Sequence, residues 1–173
     1  MSTDQPATAA GGAGPRRPDA RFMLSHPAHL FSLGFGTGLS SFAPGTVGTL
    51  FGWASYLVLN LYLTVTGWAV LICAGVLGGI WLCGFTSRKL GDSDPGAVVW
   101  DEIVAFWIVL LLITPTGFGA QFVAFVIFRF FDAVKPPPIR YFDRTFKGGL
   151  GIMLDDLVAA FCTLLVIALW RSI

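Results

Sequence analysis

Beyond Leu30 the chain is a succession of long apolar stretches separated by short polar links. A helix needs roughly 17–25 such residues to cross a bilayer. Five stretches are legible, at about residues 47–65, 68–85, 98–113, 118–134 and 150–170. The third and fourth are short and carry charge near one end, so either could be a partly embedded helix. The pattern predicts an all-α, polytopic membrane helical bundle of about five hydrophobic helices, some only partly embedded. Residues 1–22 differ: they are rich in Ala, Gly and Pro, hold Arg16 and Arg17, and lack the apolar run of a cleavable signal. They read as a disordered tail before a membrane-embedded domain of residues 23–173.

Lys and Arg flanking a span stay on the cytoplasmic side. Arg16, Arg17 and Arg21 precede the first stretch, Arg88 and Lys89 follow the second, and Lys135, Arg140, Arg144 and Lys147 lie between the fourth and fifth. The links at about 64–67 and 114–117 carry no charge. The alternation predicts a cytoplasmic N-terminus and an outer C-terminus, opposed only by Arg171. It also puts Asp101, Glu102, Asp132, Asp155 and Asp156 near cytoplasmic ends. Carboxylates in apolar segments are costly, so they usually face a bundle interior or cavity where cations meet them. Acids also favour helix N-termini, where 101, 102, 155 and 156 would fall, so each taken alone could be an interfacial cap.

Composition sharpens this picture. Of 173 residues, 55% are hydrophobic and 12% charged, against about 25% charged in a soluble domain. That leaves too little polar surface for a soluble monomer. A net charge of +1 gives no footprint for nucleic acid. Cys73, Cys83 and Cys162 sit in apolar runs without metal or disulfide spacing and read as packed hydrophobes.

Carboxylates gathered with Lys and Arg, without His or Cys, suit a hard divalent ion such as Mg2+, which takes oxygen ligands and completes its shell with phosphate and water. Phosphoryl chemistry on a lipid headgroup follows. Lys147-Gly148-Gly149-Leu150-Gly151 precedes the fifth stretch, where helix N-terminal amides can bind phosphate. In Ala43-Pro44-Gly45-Thr46, Thr46 is placed to cap the first helix and Gly45 to present an amide. Tight turns or close helix packing would use the same glycines. Gly34-Phe35-Gly36-Thr37-Gly38 has no preceding strand, so it reads as small-residue packing in the membrane and not a dinucleotide loop. Asp92-Ser93-Asp94, followed by Pro95-Gly96, reads as a solvated turn. His26 and His29 flank Pro27, which disfavours a helical metal pair and suggests an interfacial position. There is no G-x-S-x-G elbow.

The motifs, taken in order, resemble the phosphatidylglycerophosphatase A family over about residues 24–170. They are Gly34-Phe35-Gly36-Thr37-Gly38-Leu39-Ser40, Ala43-Pro44-Gly45-Thr46-Val47-Gly48-Thr49-Leu50, Val99-Trp100-Asp101-Glu102-Ile103-Val104, Phe128-Arg129-Phe130-Phe131-Asp132, Lys135-Pro136 with Pro138-Ile139-Arg140, and Lys147 through Asp156. Ser41, Ala105 and Ala160 depart from the family's usual residues. The resemblance implies a Mg2+-dependent phosphatase of the bacterial inner membrane, its site facing the cytoplasm, that removes the terminal phosphate of phosphatidylglycerol phosphate. Asp101, Glu102, Asp155 and Asp156 are then the expected metal ligands, with Asp132 a further ligand or the base that orients water. Arg129, Lys135, Arg140, Arg144 and Lys147, with Gly45, Thr46 and Gly148, are the pool for substrate contacts. Arg129 and Asp132 could equally form an i,i+3 ion pair. Attack by water and an aspartyl-phosphate route both remain open. A cation-coupled transporter would place its acids near the midplane with an internal repeat, and neither is seen. A headgroup transferase would carry a signature of four spaced aspartates with an Asp-Gly and Ala-Arg segment, and that signature is absent.

Overall fold

The computed structural model describes residues 17–92, 94–137 and 145–172. Residues 1–16 of the expected tail, and Arg140 and Arg144, lie outside them. Every regular element among the described residues is helical. Asp19 accepts a hydrogen bond from the Phe22 amide at 2.8 Å and so starts α1 (Ala20–Leu24), which takes in the last residues of the expected tail. Pro27 sets the first turn of α2 (Pro27–Ser32), and His26 Nδ1 accepts from the Ala28 amide. His29 is buried within the protein: its Nδ1 lies 3.0 Å from Thr86 Oγ1 and its ring stacks on Phe22. Burial, with His26 and Lys89 nearby, holds its pKa below the usual histidine value.

The glycine run expected to pack closely is a kinked 3-10 stretch, Gly34–Leu39, in which a Cβ on Gly34 would press on Val99 and Ile103. Gly34, Phe35 and Gly36 all have positive φ, a region that favours glycine. Gly38 packs closely too, because a Cβ there would run into the Ala97 carbonyl.

Helix α3 spans Pro44–Leu59, so it begins before Thr46, which lies inside the first turn and is not the cap. Ala43 takes that place with φ 43°, and Pro44 presets the helical φ. After Leu59 the chain turns, Asn60 accepting from the Trp68 indole at 3.1 Å, and Thr64 caps α4 (Val65–Leu90). Gly91, at φ 73°, ends that helix with its amide bonded back to Arg88. The remaining helices are α5 (Trp100–Ile113), α6 (Phe118–Val134) and α7 (Gly148–Ser172).

At about 1.5 Å per residue, the 26 residues of α4 and 25 of α7 reach nearly 40 Å, beyond the roughly 30 Å of a hydrocarbon core. They are the two described helices long and apolar enough to cross a membrane. The 14, 16 and 17 residues of α5, α3 and α6 fall short at about 21–26 Å. Length and composition therefore support two spans where five were expected.

Helix α5 is the centre, packed by α3, α4, α6 and α7 and buried along most of its length. Indole N–H groups tie the layers together: Trp53 donates to Gln121, Trp100 to the Gly75 carbonyl and Trp107 to the Gly52 carbonyl. Buried indoles need such partners. The outward faces carry Val70, Leu77, Trp81, Phe122, Phe161 and Leu165, all exposed.

Helices α4 and α7 cross backbone to backbone at Gly84 and Gly149, where a Cβ on Gly149 would meet the Gly84 nitrogen at 2.7 Å and overlap the Ile80 carbonyl. Gly149→Ala should therefore cost at least ~2 kcal/mol by forcing the pair apart. Thermal unfolding in detergent reads this, and an unchanged Tm would mean the crossing yields freely.

Candidate functional site

A cavity of about 310 Å³ opens where α3, α5 and α7 begin and α6 ends. The first turn of α5 supplies Asp101 and Glu102, the last two turns of α6 supply Arg129 and Asp132, and α7 brings Asp155 and Asp156 a little over two turns in. Lys135 caps α6 in a left-handed conformation, φ 44°. Asp94 reaches in from the α4–α5 loop, and Ala43, Pro44 and Gly45 form part of the wall.

Arg129 is the hub of one side. Its Nη1 lies 2.9 Å from Glu102 Oε1, pairs with Asp132 Oδ2, and donates to Thr49 Oγ1 at 3.3 Å. Thr49 is itself fully buried and donates to the Gly45 carbonyl. Opposite, Lys135 Nζ pairs with Asp155 Oδ2 and lies 3.5 Å from Asp94 Oδ2. Six carboxylates thus share the cavity with two cations among the described residues.

Asp101 Oδ1, Glu102 Oε2, Asp155 Oδ1 and Asp156 Oδ2 are buried without a donor among the described residues. A buried acceptor left in this way costs on the order of 1–3 kcal/mol, and more when charged. Ligand oxygens of Glu102, Asp132 and Asp156 lie within 4.8 Å of one another, a group able to hold a metal ion. An oxygen-only donor set with excess negative charge fits a hard cation.

The five acids, Arg129, Lys135 and Gly45 are brought together. A Cβ on Gly45 would collide with the Glu102 carboxylate, so this glycine serves close approach. Thr46 is half-buried, Gly148 opens α7 at φ 69°, and Lys147 is exposed just before it; none of the three lines the cavity. The close acidic group contains Asp132, while Asp155 holds Lys135. Two contributors escaped the sequence reading. Asp92 Oδ1 accepts from the Asp94 amide at 3.2 Å, and Asp94 also reaches Lys135. Thr49 carried no signal beyond a polar residue among apolar ones.

Fold and site together define the class: an all-helical chain with two helices of membrane length and an acidic, oxygen-lined centre at one end of the bundle. The chain belongs to the phosphatidylglycerophosphatase A family, whose model matches residues 30–171. It is 40% identical over 148 residues to phosphatidylglycerophosphatase A of Escherichia coli, covering 84% of this chain and 86% of the relative. The Haemophilus influenzae protein of the same name is 41% identical over 150 residues, covering 87% and 92%. A Bacteroides thetaiotaomicron relative, provisionally named a phosphatidylinositol-3-phosphatase, is 38% identical over 148 residues, covering 82% and 92%. No solved structure matches the chain.

Proposed function

We propose that the chain is a Mg2+-dependent phosphatase that hydrolyses the terminal phosphate of phosphatidylglycerol phosphate, giving phosphatidylglycerol and inorganic phosphate, in bacterial glycerophospholipid synthesis. The observation that carries the reading is the cavity where, among the described residues, six carboxylates meet two cations and four carboxylate oxygens are buried without donors. Family membership supplies the substrate. Glu102, Asp132 and Asp156 are the residues that would hold the ion, with Asp101 and Asp155 beside them. When bound, the ion supplies Lewis-acid stabilisation of the phosphoryl oxygens and a more acidic bound water.

The chain's own residues do the rest. Arg129 and Lys135 offset negative charge on the transferring phosphoryl group, Arg129 through a planar fork and Lys135 as a point charge. Their carboxylate partners hold both in place before substrate arrives, so little reorganisation accompanies the reaction. Arg140, Arg144 and Lys147 belong to the basic link before α7 and would meet the headgroup at the membrane surface. Hydrolysis forms a bond from water oxygen to phosphorus and breaks the bond from phosphorus to the glycerol oxygen, which leaves with a proton.

The apolar outer faces of α3, α4, α6 and α7 support a bundle seated in a membrane, the shorter helices completing it, and the basic residues Arg88, Lys89, Lys135 and Lys147 support an orientation in the inner membrane with the cavity toward the cytoplasm. In a cysteine-free background, a cysteine at Gly117 should react with an impermeant thiol reagent from outside, and one at Arg88 should not. Reversed labelling would put the cavity on the wrong side for a newly made lipid.

The activity is tested with purified protein in detergent, given phosphatidylglycerol phosphate with and without Mg2+ and measured for phosphate release. Release only with Mg2+ is expected. Preferential turnover of phosphatidylinositol 3-phosphate would replace the substrate assigned above, and full activity in chelator would remove the metal from the reading.

A further inference from the structure

A second cavity, of about 420 Å³, lies beside the acidic one. The two share Pro44 and Gly96, and the same loops wall both. The loop before α3 gives Ser40 and Ser41 to the second cavity and Ala43 to the acidic one, and the first turn of α3 adds Gly45 to the acidic one. The loop before α5 gives Asp92 to the second and Asp94 to the acidic one. They are adjoining chambers with different chemistry. Among the described residues the second holds hydroxyls, one cation, Arg17, and one carboxylate, Asp92, which already accepts from the Asp94 amide. Between the chambers the loop carries Phe42, 84% exposed, and Ala43 in a left-handed conformation that non-glycine residues rarely adopt.

We propose that this second chamber receives the glycerol and phosphodiester of the lipid headgroup, with Arg17 on the phosphodiester, while the acidic chamber takes the terminal phosphate. The inference rests on the proposed activity for the identity of the lipid. A phosphomonoester carries up to about two negative charges near neutral pH, which suits a cavity built to hold a divalent ion. A phosphodiester carries a single charge, which one guanidinium can meet with two parallel N–H bonds. The one free glycerol hydroxyl between the two groups finds Ser40 and Ser41. Phe42 sits where an acyl chain would leave toward lipid, and an exposed aromatic is suited to an interfacial position. Arg17 thus becomes a specificity residue, because a lipid phosphate without the diester would leave it unpaired.

Dioctanoyl phosphatidylglycerol keeps the diester and lacks the terminal phosphate, so its binding in detergent, measured by calorimetry, reports the second chamber without turnover. Arg17→Gln should weaken it roughly tenfold and leave the affinity for inorganic phosphate, measured with Mg2+ present, unchanged. Ser41→Trp, which fills the chamber without touching a charge, should do the same. Glycerophosphoglycerol, the deacylated headgroup, should bind more weakly than the lipid; equal affinity would make the occupant a soluble diester. In turnover of phosphatidylglycerol phosphate both variants should raise KM and keep kcat. Equal phosphatidylglycerol binding by wild type and both variants, or no binding by wild type, overturns the subsite even where the enzyme is active. Binding that falls as expected in a protein that does not turn over the substrate would keep the subsite and sink the activity.

Discussion

Asp156→Asn should lower kcat by roughly a hundredfold or more while leaving the protein at least as stable as wild type. The two effects have one cause. Asp156 is 2% exposed and its Oδ2 has no donor among the described residues, so the uncharged, equal-sized amide relieves repulsion from neighbouring carboxylates and removes a hard anionic ligand. Stability held against function is the pattern expected of a residue kept for chemistry. A further readout is the rise in Tm that Mg2+ produces by binding the native state. That rise should be present in wild type and lost in the variant. Near-normal turnover together with an intact Mg2+-induced rise would reduce Asp156 to a structural residue.

Arg129→Gln should do the opposite to stability. Arg129 bonds Glu102, Asp132 and Thr49 at once, with side chains less than a fifth exposed in both ion pairs. Removing one partner of a buried pair leaves the others uncompensated, a cost on the order of 3 kcal/mol. Activity should fall with it. Arg129→Lys restores the charge but not the planar fork, so Tm should recover most of the way while kcat stays roughly tenfold down. Chemical or thermal unfolding alongside steady-state kinetics separates the two. Full recovery of kcat with lysine would show that only the charge matters.

The two longest-range features of the site were legible for an energetic reason. Carboxylates in apolar stretches are costly enough that they must be gathered, and the positive-inside alternation put all five at one end. Helix limits followed hydropathy where it ended sharply. Helix α6 runs Phe118–Val134 as expected, and α5 starts only two residues inside its expected limit. Hydropathy failed where an apolar run passes through a turn, as at residues 60–63, which ended α3 early. It failed again where a polar segment keeps one buried face: α4 continues through Ser87-Arg88-Lys89-Leu90 because Ser87 and Leu90 are buried. Helices α1 and α2 are too short to give a periodic signal. Asp94 was invisible because its turn residues describe the loop correctly and say nothing of what the loop leans against. Thr49 is set by a contact 80 positions away in sequence, which no local pattern carries.

Helix α7 follows α5 and α6 along the chain, and it brings both Asp155 and Asp156. A chain still in synthesis can hold the acids of α5 and α6, but the acidic cavity is not complete until α7 docks against α4 at Gly84 and Gly149. A chain made only as far as α6 therefore lacks two of the six carboxylates that line the cavity. Chains ending before Gly148 should insert and yet release no phosphate, and co-expressing the missing helix as a separate peptide should restore some activity through that same glycine crossing.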